Sequence, residues 1–166
     1  STMTVALVGV MKEWLREALA DDEIAELTYQ IERLELKISG GRQDQYAALN
    51  GGVQYLEFRD PAAVSARVEL TDAVLDALRR DMALCYTGRS RISGNIISTV
   101  MGNYRRGDAR TTGALRRLKA IAGEMRDALM AGDMAGFGTL LLDNWRCQKD
   151  LDPSVTTSEI EALFEM

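Results

Sequence analysis

Residues 39–52, Ser-Gly-Gly-Arg-Gln-Asp-Gln-Tyr-Ala-Ala-Leu-Asn-Gly-Gly, constrain the fold of this chain more than any other stretch. One glycine pair, Gly40-Gly41, opens the segment, and a second, Gly51-Gly52, closes it. Glycine costs backbone entropy, so pairs of it mark tight turns or places where backbone must lie close to another group. Upstream, apolar residues recur at helical spacing; downstream, Val53-Gln-Tyr-Leu-Glu-Phe58 alternates as a half-buried strand. The segment is therefore a joint between two periods. It carries one carboxylate, Asp44, beside Arg42, Gln43 and Gln45. Two readings stay open for it: the wall of a polar pocket, or a helix cap followed by a solvated loop and a short helix.

With 166 residues, 46% hydrophobic content and two prolines, the chain is long enough for a real core and too apolar for disorder. Its net charge of -5 argues against a broad electropositive surface, so nucleic acid is not an expected partner. The absence of histidine excludes a histidine triad, a histidine-rich zinc site and a histidine general base. Acid–base chemistry must then fall to carboxylates, Lys, Tyr or Cys. Cys85 and Cys147 lack metal-ligand spacing; Cys85, in an apolar run, is expected to be buried. Both fit a reducing, cytoplasmic setting. No 18-residue apolar span occurs and the first residues do not read as a signal peptide, so no membrane partner is expected.

The chain opens into a helix with Val5, Val8, Met11 or Lys12, Leu15 and Leu19 on one face, Trp14 flanking it. A second helix, Glu23 to Leu36, places Ile24, Leu27, Ile31 and Leu34 together. After the strand to Phe58, Ala63–Leu70 reads weakly as another strand and Thr71–Arg80 as a short helix. Asp81–Tyr86 reads as a more apolar, central strand. The turn Thr87-Gly-Arg-Ser-Arg-Ile-Ser-Gly94 follows, and Tyr104–Gly107 is expected to be exposed. Helices are expected from about Thr111 to Met130 (stripe Leu115, Leu118, Ile121, Ala122, Met125, Leu129), from Met134 to Lys149, and from Val155 to Phe164. Phe137, Leu140, Leu141 and Trp145 should point inward from the second of these. Two or three strands against five or six helices predict a helix-rich α+β fold with a small sheet.

Four pieces, in order, resemble the sugar-kinase branch of the GHMP kinase family, nearest to its D-glycero-D-manno-heptose 7-phosphate kinases. They are Ser1-Thr-Met-Thr-Val-Ala-Leu7, Gly41-Arg-Gln-Asp-Gln-Tyr-Ala-Ala48 with Gly51-Gly52 and the strand to Phe58, Leu84-Cys-Tyr-Thr-Gly-Arg-Ser-Arg-Ile-Ser93, and Leu141-Leu-Asp-Asn-Trp-Arg146 with Lys149. The resemblance implies a two-layer α/β (α+β) arrangement with a small mixed or antiparallel sheet. Residues 1–80 would be the C-terminal part of the family's N-terminal, ATP- and substrate-binding domain, and 81–166 part of its C-terminal domain. The family's Pro-x-x-Gly-Leu-Gly-Ser-Ser phosphate cradle and its glycine-rich third motif are not in these 166 residues, so the chain reads as a kinase cut at both ends.

The resemblance also implies roles. Asp44 matches the catalytic aspartate, which would orient the acceptor hydroxyl and take its proton. Arg42, Gln43, Tyr46, Thr87 and Arg91 would line the substrate, with Arg91, in the Thr-Gly-x-x-Arg position, as first choice for receiving a phosphate. Ser1 and Thr2 would stand at the back of the nucleotide's phosphate site; no residue is assigned as a metal ligand. ATP and Mg²⁺ are the implied cofactors. The implied reaction is phosphoryl transfer to the anomeric hydroxyl of D-glycero-D-manno-heptose 7-phosphate, or, as an alternative, fucokinase-like transfer to another sugar. A chain without the cradle could instead be a noncatalytic binding or assembly module, or half of a split enzyme. Self-association through core surface left uncovered is also expected.

Overall fold

The computed structural model of the chain describes residues 1–59, 62–86 and 94–164. They form two compact units, Ser1–Val68 and Glu69–Met166.

The first unit holds α1 (Thr2–Leu15), α2 (Asp21–Tyr29) running on into a π-helical stretch (Gln30–Glu35), α3 (Gln43–Asn50), β1 (Gln54–Arg59) and β2 (Ala62–Arg67). Helix α1 ends at Leu15 rather than Leu19. Arg16 turns left-handed there (φ 56°, ψ 39°), and its N–H bonds back to the Glu13 carbonyl. Leu19 still reaches the core, packing with Ile31, Ala48 and Leu49 around Val5, Val8 and Ile24. Each fully buried side chain of this size contributes roughly 1.5–3 kcal/mol, so this small cluster fastens α1 to α2 and α3. Met3, Leu7, Val10 and Trp14 follow one another at helical spacing on α1 and are between 60% and 77% exposed.

The buried side of the second helix is rotated from the sequence expectation. Ile24, Ala25, Thr28 and Glu32 are buried, whereas Leu27 and Leu34 are exposed. The Ile24, Thr28 and Glu32 face follows ordinary α-helical spacing, and the π-helical stretch bears on Leu34: within it the Leu36 N–H reaches the Ile31 carbonyl at 2.9 Å. An i→i+5 bond widens the turn and shifts the residues that follow around the axis.

The closing glycine pair does what its backbone freedom permits. Gly51 caps α3 at φ 60°, ψ −178°, and Gly52 follows at φ 67°, conformations that L side chains rarely adopt. Strands β1 and β2 pair antiparallel, in register from Gln54↔Arg67 to Arg59↔Ala62. The predicted small sheet is thus a two-stranded antiparallel one among the described residues.

The second unit is helical: α4 (Asp72–Asp81), α5 (Gly94–Arg105), α6 (Ala109–Ala131), α7 (Met134–Leu151), a 3₁₀ turn (Pro153–Val155) and α8 (Ser158–Phe164). Side-chain caps set several of its starts. Thr71 Oγ1 accepts the Val74 N–H, Asp108 accepts that of Thr111 at 2.7 Å, and Asp133 accepts that of Gly136 at 2.9 Å. Ile121 and Leu129 of α6 are buried as expected, but Ala122 is exposed, and Thr111 and Ala114 complete the buried face. On α7, Phe137, Leu140 and Trp145 are half-buried, while Leu141 faces outward. The Trp145 ring stacks on Phe164 of α8 at 5.2 Å, and Lys149 pairs with Glu161 at 3.0 Å.

Asp81–Tyr86 is not a strand. Helix α4 continues through Asp81, and residues 82–86 have no regular structure and are all exposed, Cys85 included. A central strand needs a partner on each edge, and the described residues contain only the β1–β2 pair. Among those residues no helix is long and apolar enough to cross a membrane.

Candidate active site

The glycine-bracketed segment becomes a loop and the short helix α3, which lies beside both α1 and the end of α2. Asp44 is the second residue of α3 and is exposed. A carboxylate in a first helical turn is favoured by the helix dipole. Ala47 and Ala48, one turn on, share its side of the helix, and with Ser1 and Thr2 these residues line a cleft of about 430 Å³. The chain's start and its candidate acid, 43 positions apart in sequence, are therefore brought to one cavity.

Behind them sits a buried carboxylate that sequence reasoning missed. Glu32 is 5% exposed. Its oxygens accept hydrogen bonds from Ser1 Oγ at 2.8 Å, Thr4 Oγ1 at 2.7 Å and Gln45 Nε2 at 2.7 Å. The Ser1 amino group lies 3.2 Å from Oε1. Burial by itself raises the pKa of Glu32, but the bonds from Thr4, Ser1, the Ser1 amino group and Gln45 outweigh it and lower the value to about 2. A fixed negative charge thus stands behind the start of α1. The signal was present: Ile24, Thr28 and Glu32 recur every four residues, which puts the acid on an apolar face.

Arg42 and Tyr46 turn to another acid. Arg42 Nη1 pairs with Glu26 Oε1 at 3.2 Å, and its guanidinium carbon lies 4.4 Å from the centre of the Tyr29 ring. The Tyr46 hydroxyl donates to the same Glu26 oxygen at 2.9 Å, and its ring meets Phe58 edge-on at 5.8 Å. Burial, followed by that bond to Glu26, pushes the Tyr46 hydroxyl up to about 12. These two side chains tie α3 to α2. Gln43 opens α3 and is exposed. A second cleft of about 550 Å³ opens near Tyr46, between Asp21, Asp22, Asn50, Gln54 and Arg67. Thr87 and Arg91 lie outside the described residues.

The donor set fits the implied nucleotide and cation. Magnesium takes hard oxygen ligands, commonly one or two carboxylates with phosphate and water. Among the described residues no group of three or more acids or thiols could hold a metal ion; the Ser1 hydroxyl, with the Glu32 carboxylate that it bonds at 2.8 Å, offers hard oxygen atoms at the start of α1. The first turn of α1, a 14-residue helix, carries the unpaired N–H groups that bind anions at such positions.

Residues 1–52, which include α1, Glu32 and Asp44, match the family described as GHMP kinases N terminal domain. The whole chain aligns with D-glycero-alpha-D-manno-heptose 7-phosphate kinase of Campylobacter jejuni at 31% identity, spanning 49% of that protein. It aligns with L-fucokinase/L-fucose-1-P guanylyltransferase of Bacteroides fragilis at 27% identity, spanning 18% of it. The fold is similar to the crystal structure of a D-glycero-D-manno-heptose 1-phosphate kinase from Bacteroides thetaiotaomicron. That likeness has a TM-score of 0.66 at 28% identity and covers 89% of this chain and 42% of the other. The chain thus spans about half the length of the heptose kinase it matches, and less of the bifunctional enzyme. The motifs around Asp44, the domain match and the sugar-kinase fold agree: residues 1–52 match the GHMP kinases' N-terminal domain, and the chain as a whole is similar to sugar kinases.

Proposed function

We propose that this chain carries the acceptor-activating acid of a sugar kinase that uses ATP with Mg²⁺. Our best assignment of the acceptor is the anomeric hydroxyl of D-glycero-D-manno-heptose 7-phosphate. The observation that supports it most is Asp44 sharing one cleft with Ser1 and Thr2 at the start of α1. In this reading Asp44 orients the acceptor hydroxyl and takes its proton as the phosphoryl group arrives. The first-turn N–H groups at Ser1 and Thr2 hold anionic phosphate oxygens, and Glu32 with the Ser1 hydroxyl holds the cation. Bound ATP with Mg²⁺ supplies the phosphoryl group. Gln43 contacts the sugar; Arg42 and Tyr46 shape its pocket from the Glu26 side; Thr87 and Arg91 receive its phosphate. Residues 1–80 would then belong to the nucleotide- and substrate-binding domain and 81–166 to the domain that follows.

The fucokinase relative supports a second acceptor class, a 6-deoxyhexose. The test is ADP release by the protein at its full natural length, with heptose 7-phosphate, heptose 1-phosphate, fucose and galactose offered in turn. Turnover greatest with heptose 7-phosphate is expected. Turnover with fucose alone would move the assignment, and none with any sugar would end it.

The same reading extends to assembly. Large apolar stripes left in water drive association. For the 166-residue chain, light scattering should therefore show a mass that grows with concentration, and Leu7→Glu with Trp14→Glu should return it to that of a monomer. A monomer at every concentration would refute this.

A further inference from the structure

We propose that Arg33 is a positioning residue for Asp44, acting through the glycine loop and not on substrate; this rests on the phosphoryl-transfer reading above. The Arg33 side chain is only 11% exposed. Its Nε donates to the Gly41 carbonyl at 3.2 Å and its Nη1 to the Ile38 carbonyl at 3.3 Å. A planar guanidinium offers several donors in a fixed fork, so one side chain ties down two points of the loop. Gly40 makes the approach possible: a Cβ there would stand 2.5 Å from the Arg33 guanidinium carbon. The opening glycine pair is thus the place where backbone passes beneath a cation.

The adjacent residue completes the device. Glu32, 3.8 Å from Arg33 Nη2, accepts the bond from Gln45. Two neighbours on one π-helical stretch therefore hold the chain on both sides of Asp44, Arg33 at Gly41 and Glu32 at Gln45. Between those anchors Asp44 stands in the first turn of α3 at the cleft. Release of the Gly41 anchor would let the start of α3 drift, while the Glu26 contacts of Arg42 and Tyr46 still hold the helix to α2. Phosphoryl transfer is sensitive to such drift, since displacement of about 1 Å can cost on the order of 100-fold in rate.

The experiment compares Arg33→Ala, Arg33→Lys and Gly40→Ala in the protein at its full natural length, using ATP and the sugar that the parent turns over best. Arg33→Ala should lose about 100-fold in kcat with the sugar KM nearly unchanged, and added guanidinium ion should restore part of it. Arg33→Lys should also lose kcat, because an ammonium is a point donor without the fork. Gly40→Ala leaves Arg33 in place but pushes the end of its side chain off the carbonyls; it should lower kcat in a protein that melts like the parent. Amide exchange at residues 38–44 should quicken in all three. Unchanged kcat in the Arg33 variants of an active parent overturns the proposal alone, as does lost activity without guanidinium rescue alongside a normal Gly40→Ala. A parent with no turnover on any sugar overturns the kinase reading and this proposal together.

Discussion

Asp44→Asn is expected to lower kcat by about 100- to 10,000-fold in the protein at its full natural length, with sugar binding retained. Asparagine keeps the size of the side chain and its place in the cleft but can neither carry the charge nor take a proton at neutral pH. Asp44 is exposed and, among the described residues, no hydrogen bond or ion pair of its side chain helps hold α3, so the fold should survive the change. A surface substitution of this kind usually moves stability by less than about 0.5 kcal/mol. Coupled measurement of ADP release gives kcat, and calorimetry with the sugar gives binding. Undiminished kcat would remove Asp44 from the chemistry; lost binding with kcat intact would make it a specificity residue instead.

Glu32→Gln should cost the 166-residue chain stability that depends on pH. The folded-state value of about 2 lies below the ordinary 4.5. A carboxylate depressed in this way adds stability that is complete above the unfolded value and is lost as pH falls through the folded one. The shift corresponds to about 3 kcal/mol at neutral pH. Urea unfolding at pH 7, 4.5, 3 and 2 should show the parent losing ground to the variant below 4.5, with the difference shrinking toward pH 2. The variant itself should be flatter across that window, because Gln cannot gain a proton there. Parallel profiles for the two proteins would mean that the bonds from Thr4, Ser1 and Gln45 do not hold Glu32 ionised.

The two predictions concern Asp44 at the cleft and Glu32 buried behind it, and the sequence disclosed the two acids unequally. Asp44 was legible because it stands in a short motif between glycine pairs, where spacing alone marks a loop that leads into a strand. Glu32 sits inside a helical pattern, and its burial depended on how that helix turned. Glu32 shares the four-residue spacing of Ile24 and Thr28, a face that the competing stripe of Ile24, Leu27, Ile31 and Leu34 obscured, and the π-helical stretch from Gln30 to Glu35 left Leu34 exposed. Arg42 and Tyr46 show the same limit. Each was readable as a polar neighbour of the acid, but their shared partner Glu26 lies 16 and 20 positions away in sequence.

The apolar run Asp81–Tyr86 failed for a related reason. Strand propensity states what a segment can become, whereas a strand exists only when another backbone supplies its hydrogen bonds. No such neighbour lies among the described residues, and Leu84 and Cys85 are exposed. Helices fared better because their backbone bonds are local: α6 and α7, expected over about Thr111–Met130 and Met134–Lys149, run from Ala109 to Ala131 and from Met134 to Leu151.

By itself the sequence determined most of the helices, the glycine joints, the β1 strand and the place of Asp44 in a family motif, since each rests on residues within a few positions of one another. Tertiary structure alone decided which carboxylate is buried, which side chains Glu26 captures, and that Ser1 and Asp44 face one cleft. Those outcomes depend on contacts between distant segments, whose geometry no local spacing contains.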